Sequence, residues 1–521
     1  MKAYDHPRNF RAPRALGTKM SLRCRIFVVL ALAIAAFASP ASASAGEVIE
    51  VDGSRAERQA DPYVPEGAES RLPEPRGGGA AAAAPRAGSS TARGARAVSR
   101  ALGRARRARR ISRSAARRYT RTAAAARRML GRLRGSRRRE LAYVLGVAER
   151  LALKGRLTSS RMPAVFLIVR RNASFWGSRG FPASGAKVRF RGSELLFQYY
   201  PGRGLQLQPL VNWKRANLMH GACVRRGASC RRDRLARLIA ELNRTASRRS
   251  PRFIAWEYYF LFGGGSPPWM SAMAQATAVQ ALGRASKLLN RPDYLVVARR
   301  ALPAFSASAP AGVKARGFRG GPHYLQYSFD RRLFIMNAFL QSLIGLYDYA
   351  KITGDAQARS LFEAAEPEAQ REVPAFDVGD WSKYSYRGRE SDREYHELLR
   401  EFLASTCSRL RRPVYCNTAR RFRDYQTDPA VLELKGPVTA RRNQATRIRF
   451  FVNKRSAVQV VVTRDGDVGL DRTATFRRGE GSFEWRPKST GAYTIRLAAK
   501  ELRSGRGLRT SVAGSAEVGA G

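Results

Sequence analysis

The spacing of apolar residues changes character twice along the chain. From Gly46 to about Glu140 there is scarcely a large apolar side chain, and Pro, Gly, Ala and Arg predominate. So little to bury predicts a disordered or partly helical segment that supplies no core. Between Tyr143 and Ala152, and again between Leu235 and Leu242, apolar positions recur every three or four residues, the period of an amphipathic helix. Between those helices Val188, Phe190, Leu195, Phe197, Tyr199 and Tyr200 predict a short β element near Pro201-Gly202. Helices dominate afterwards. Ser266-Pro267-Pro268 introduces one that runs from about Ser271 to Asn290-Arg291-Pro292, and another runs from about Ile335 to Lys351, stops at Thr353-Gly354-Asp355 and is followed by Ala356 to Ala365. Helix pairs with short polar turns each need a neighbour to cover their apolar faces, so an α/α toroid or bundle is expected. Beyond Pro429 the period becomes two: stretches such as Arg447 to Val452, Ala457 to Thr463 and Ala492 to Leu497 are separated by Gly and Asp turns. They predict a small Ig-like β-sandwich.

The expected fold is therefore mainly α, an α/α toroid with a short β element before it and a C-terminal β-sandwich. The expected division is a signal peptide over 1–45, a basic Ala/Pro/Arg-rich segment over 46–140, the helical domain over 141–429 and the sandwich, an accessory unit, over 430–521. The signal reading rests on Arg11, Arg14, Lys19, Arg23 and Arg25 ahead of the apolar run Ile26 to Ala38, with small residues through Ala45. That run is shorter than the roughly 20 residues that span a bilayer. Export to the cell envelope or beyond is expected. Cys24 leaves with the signal, and the other four cysteines fall in close pairs, Cys223 with Cys230 and Cys407 with Cys416, which predicts two local disulfides.

Charge narrows the partners. With 96 Lys+Arg against 40 Asp+Glu the chain carries +56, which calls for polyanionic partners. Export and the lack of a recognition module argue against nucleic acid. The arginines between Arg93 and Arg139 read either as a solvated linker or as an arm docking to an acidic glycan or the envelope surface. A homodimer is compatible with the sequence.

Residues from about Trp256 to His396 carry the most specific signals. Trp269-Met270-Ser271-Ala272-Met273-Ala274-Gln275-Ala276, the run Phe334 to Asp348, the segment Pro374 to Ser382, Tyr384-Ser385-Tyr386-Arg387 and Tyr395-His396 together resemble the C-terminal catalytic domain of D-glucuronyl C5-epimerases. The resemblance covers about the middle third to half of the chain and leaves out the arginine-rich segment and the β domain. It implies inversion at C5 of glucuronate units in an acidic polysaccharide. Such a reaction removes a proton α to a carboxylate and returns one from the other face, so it needs two acid/base groups and donors or cations on the carboxylate.

On matching positions the resemblance implies Tyr327, Tyr384 and Tyr395 as catalytic, and Arg387 as the carboxylate holder. Trp269, Gln275, Gln326, Asn337 and His396 are expected to line the sugar site. A tyrosine serves as base only where positive charge lowers its pKa from about 10. Gln326 stands where the family has an acid/base glutamate, and an amide accepts no proton. Either Glu257, Glu394 or His396 substitutes, or the protein binds acidic glycan without turning it over; a uronate lyase shares the first step. Each singled-out residue also has a purely structural reading, because buried Tyr, Trp and His are commonly core. No cofactor is required. A divalent cation such as calcium is compatible with the chemistry but has no support in the residues, since His323 and His396 lie far apart in sequence with too little carboxylate support to claim a metal.

Overall fold

A computed structural model describes residues 46–53, 55–67, 91–177, 180–225 and 230–521; the expected signal peptide lies outside the described residues. Strands β1 (Gly46–Asp52) and β2 (Arg55–Asp61) form a hairpin, and β1 pairs in parallel with β3 (Lys187–Phe190). Antiparallel β4 (Leu196–Tyr200) and β5 (Gly204–Leu207) complete a sheet of order β2-β1-β3-β4-β5. Only the second half of this sheet was expected. A buried ion cluster pins it to the helices: Asp61 meets Arg189 at 2.6 Å, Arg215 at 3.0 Å and Arg234 at 3.2 Å, with Glu194 completing the set. Burial opposes the Asp61 charge, but Arg215 and Arg189 outweigh it and hold the carboxyl at about 2.

From 91 onwards the basic segment is largely helical. Helices α1 (Ala92–Arg107) and α2 (Arg113–Arg132) lie against α3 (Gly135–Leu153) and α4 (Met162–Trp176). Val98, Leu102, Tyr119, Ala126 and Leu130 join the main core, so the expectation that 46–140 supplies no core is corrected. The physical reason is that alanine is small enough to let two helices approach, so a face of Ala with a few Leu and Tyr buries without large side chains. Glu149 of α3 ties both helices down: its carboxylate accepts from the Thr91 backbone N–H at 3.0 Å and from Arg127 at 3.1 Å.

The remaining helices are α5 (Pro209–Val224), α6 (Arg232–Thr245), α7 (Ala272–Leu289), α8 (Asp293–Ala301), α9 (Met336–Thr353), α10 (Ala356–Glu372), α11 (Arg393–Leu410) and α12 (Pro413–Thr427). Short hairpins β6–β7 (Ser247–Ser250, Phe253–Ala255) and β8–β9 (Lys314–Arg316, Pro322–Tyr324) intervene. Ser271 caps α7 through the Ala274 N–H, and left-handed Asn290 ends it; left-handed Gly354 ends α9. Helices α7 and α9 cross closely because Gly345 has no side chain, for a Cβ there would stand 2.6 Å from the Ala276 carbonyl. Further packing joins α5 to α7, α9 to α10 and α11, and α11 to α12. Among the described residues helix is the commonest element, with several sheets added. Both expected disulfides are present, Cys223–Cys230 beside α6 and Cys407–Cys416 between α11 and α12.

Strands β10 (Leu432–Leu434), β12 (Thr446–Val452) and β15 (Gly479–Trp485) make one sheet, and β11 (Val438–Arg441), β17 (Arg509–Gly519), β16 (Gly491–Glu501), β13 (Ser456–Arg464) and β14 (Asp467–Phe476) the other. They enclose a separate core of Ile448, Phe450, Val460, Trp485 and Ile495. Polar contacts join this unit to the helices. Lys454 Nζ donates to the carbonyls of Asp424, Tyr425 and Asp428 at the end of α12, where a cation meets the negative end of the helix dipole. Among the described residues no helix is long and apolar enough to cross a membrane.

Candidate active site

Three tyrosines from distant parts of the sequence converge. Tyr327 follows β9, where the Ala272 N–H bonds the Leu325 carbonyl at 2.9 Å and the Ser328 N–H bonds the Met270 carbonyl at 3.0 Å. Tyr395 sits in the first turn of α11, its N–H held at 2.9 Å by the capping carboxylate of Asp392. Tyr384 lies on the loop between α10 and α11, with its ring edge-on to that of Tyr395 at a centroid distance of 5.3 Å. Tyr327 is fully buried, whereas Tyr384 and Tyr395 keep 4% and 6% exposure, so any access to the group is from their side.

Burial is the largest influence on these phenols. It pushes both Tyr327 and Tyr384 well above the ordinary value, the reverse of the lowering expected from a basic domain. Secondary effects separate the two. The Tyr327 hydroxyl and the Arg389 charge favour ionised Tyr384 and the Asp392 charge opposes it, while Tyr384 and Tyr395 together disfavour ionised Tyr327. The arrangement thus distinguishes a deeper phenol that keeps its proton from a neighbour better placed to lose one.

Arg389 was not foreseen. The chain reverses at Ser385–Gly388, where the Gly388 N–H returns to the Ser385 carbonyl, and the Tyr384 N–H then bonds the Arg389 carbonyl, both at 3.0 Å. Arg389 consequently lies 5.9 Å from the Tyr384 ring centroid. Arg387, the expected carboxylate holder, is exposed at the tip in a left-handed conformation (φ 56°), 5.2 Å from the ring of Tyr386. Asn337 belongs to the group: its Nδ2 donates to the Tyr395 carbonyl at 3.4 Å, and its buried Oδ1 has no hydrogen-bond partner.

The comparisons with known proteins fall on this region. Residues 249–424 match the family described as the D-glucuronyl C5-epimerase C-terminus. The similarity is confined to this segment, about a third of the chain. The D-glucuronyl C5-epimerase of Caenorhabditis elegans is 32% identical over 133 residues, 23% of this chain and 22% of that protein. An uncharacterised protein of Methanocaldococcus jannaschii is 28% identical over 154 residues, 28% of this chain and 50% of that one. The chain thus spans half or less of these curated relatives. A D-mannose isomerase structure aligns with 57% of this chain and 75% of its own at 11% identity and a TM-score of 0.31, too slight a likeness to assign a fold.

Within the matched segment, most of the other candidates are packed as framework. Trp269 stacks on Tyr258 at 4.0 Å, donates from Nε1 to the Phe260 carbonyl and touches Tyr327 edge-on. Gln275 holds the Trp256 backbone on both sides. His396 stacks on Trp381 at 3.7 Å, and its Nδ1 and Nε2 are engaged by Ser382 Oγ and the Phe422 carbonyl. Burial lowers its pKa to about 4, so it is a neutral core imidazole rather than a replacement base. Glu257 is also committed: Arg161 and Arg249 bind it at 2.7 and 2.6 Å, and Ser247 and Tyr259 donate to it. Burial raises its pKa, but Arg161 and Arg249 outweigh that and keep it ionised below the usual range. Glu394 is exposed on the first turn of α11 and reaches towards Gly67. Gln326 is buried and accepts from Ser271 Oγ at 3.1 Å.

His323 does have a carboxylate beside it, Glu372 at 2.7 Å, which the sequence spacing concealed. Among the described residues no group of three or more His, Cys, Asp or Glu is arranged to hold a metal ion. The β-sandwich reaches the site through the loop that carries Tyr384 and Arg389: Arg503 pairs with Asp380 at 3.2 Å and with Glu390 at 2.7 Å, and Arg478 donates to the Val378 carbonyl.

Proposed function

We propose that this chain inverts C5 of glucuronate units in an acidic polysaccharide outside the cytoplasm. The convergence of Tyr327, Tyr384 and Tyr395 beside Arg389, inside the segment that matches the epimerase family, carries the reading. The family match supports a carbohydrate epimerase-like role. In the proposed reaction Tyr384 takes the C5 proton, its ionised form favoured by the Tyr327 hydroxyl and the Arg389 charge against the burial that opposes it, and the electron pair left behind delocalises into the substrate carboxylate, where Arg389 offsets its charge. Tyr327 returns a proton to the opposite face, and both phenols then re-equilibrate with solvent. Tyr395 and Asn337 orient the sugar. The two local disulfides are compatible with an oxidising compartment. We also read the helix pairs as an α/α toroid, a reading supported by the successive packing of α5, α7, α9 and α11.

A non-catalytic glycan binder is the second reading, favoured by one observation: Gln326, in the position of the family glutamate, is a buried amide bonded to Ser271. Solvent-deuterium incorporation at C5 separates the two. Incorporation accompanied by the C5 epimer supports the enzyme, unsaturated product would mark a lyase, and binding without exchange would mark the binder.

A further inference from the structure

From 91 to 139 the chain has 19 arginines and neither Asp nor Glu. In that stretch only Arg127 forms an ion pair among the described residues. The rest of the charge is turned outwards, because the Ala and Leu face of each helix is the one buried. Along α2, Arg113, Arg117 and Arg121 recur at intervals of four, about 6 Å apart along the helix axis. Between α2, α4 and α6, with Arg118, Tyr119 and Thr122 of α2 in its lining, there is a cavity of about 220 Å³. Arg118, Arg170 and Arg244 line it against a single carboxylate, Glu241, which already accepts the Glu194 backbone N–H at 2.7 Å. Tyr119, stacked on Phe166 at 4.7 Å, gives it an apolar wall, and Thr122 adds a hydroxyl.

We propose that this cavity, with Arg118, Arg170 and Arg244 around it, is a second binding site, for a linear uronate-bearing polysaccharide, separate from the tyrosine cluster. Guanidinium groups match carboxylates in paired hydrogen bonds, and the aromatic wall suits the apolar face of a sugar ring. The outward arginines of α1 and α2 add a positive field that favours a polyanion over a neutral glycan. The occupant is not a bilayer: residues 91–139 contain no exposed large apolar side chain to insert between lipids. The ligand class rests on the proposed function, but the site serves binding alone and makes no use of the tyrosines.

The test uses polyglucuronate chains of defined length, with binding and C5 exchange measured separately. The triple variant Arg118→Gln/Arg170→Gln/Arg244→Gln should bind long chains about tenfold or more weakly. Its C5 exchange on a short oligosaccharide should be unchanged. Exposed Arg118→Gln alone, checked for an unchanged melting curve, should show part of the loss and guards against misfolding of the triple variant. Lysine at the three positions should restore affinity only in part, because a point charge cannot pair bidentately. Wild-type affinity in the triple variant overturns the proposal. So does a loss seen with phosphatidylglycerol vesicles but not with polyglucuronate. Absent C5 exchange with binding intact would refute the epimerase reading and leave this site standing.

Discussion

Replacing Glu257 by Gln separates a framework carboxylate from a substitute base. The side chain is shut off from solvent between Arg161 and Arg249, with Ser247 and Tyr259 donating to the same group. Gln keeps the shape but removes the charge, and two guanidinium groups remain largely buried without a counter-ion. Removing one member of a buried ion pair costs about 3–5 kcal/mol, a large share of the roughly 5–15 kcal/mol that holds a domain folded. The pH dependence follows from the same contacts. Because Glu257 is held below the usual carboxylate value when folded, its contribution is fully present above the unfolded value, near 4.5, and is lost as pH falls through the lower folded value. Urea denaturation of wild type and Glu257→Gln at pH 7 and at pH 3.5 should give a gap that narrows in acid, while C5 exchange per folded molecule at pH 7 stays near wild type. A variant as stable as wild type that no longer exchanges the C5 proton would refute this reasoning and make Glu257 a catalytic base.

Three other expectations follow from the site. Arg389→Gln should slow C5 exchange by about tenfold or more, whereas Arg387→Gln should leave the rate within about twofold, since only Arg389 adjoins Tyr384; single-turnover exchange rates compare them. Arg503→Gln should slow exchange without unfolding the sandwich, because it releases Asp380 and Glu390 on the loop that carries Tyr384; exchange rates and near-ultraviolet circular dichroism report the two effects. His396 is neutral when folded, with a pKa of about 4 against 6.5 unfolded, so stability should fall by about 3 kcal/mol as pH drops from 6.5 to 4. His396→Gln should flatten that slope in pH-dependent urea denaturation.

What the sequence made legible was local or carried by motif. Helix α7 announces itself through the Ser271 cap and α9 through its stop at Gly354, and the sandwich strands through strict alternation at positions such as Ile448 and Phe450. The tyrosines were identified through their motif positions, not through any periodic signal. Arg389 stayed hidden because the turn at Ser385–Gly388 decides which arginine faces Tyr384, and a turn's outcome is a matter of backbone geometry. The pairing of β1 with β3 joins Ile49 to Val188, a contact no local pattern records. Alanine-based burial in α1 and α2 was concealed by the arginines between the alanines. The role of Glu257 as an ion-pair centre likewise depends on Arg161, 96 residues away in the chain.

The most direct measurement is deuterium incorporation at C5 of polyglucuronate in heavy water, comparing wild type with Tyr384→Phe. The account predicts incorporation with formation of the C5 epimer in wild type, and a fall of about a hundredfold or more in the variant, which keeps the ring but has no proton acceptor. Equal incorporation in both, or none in a wild-type protein that binds the polymer, would contradict it.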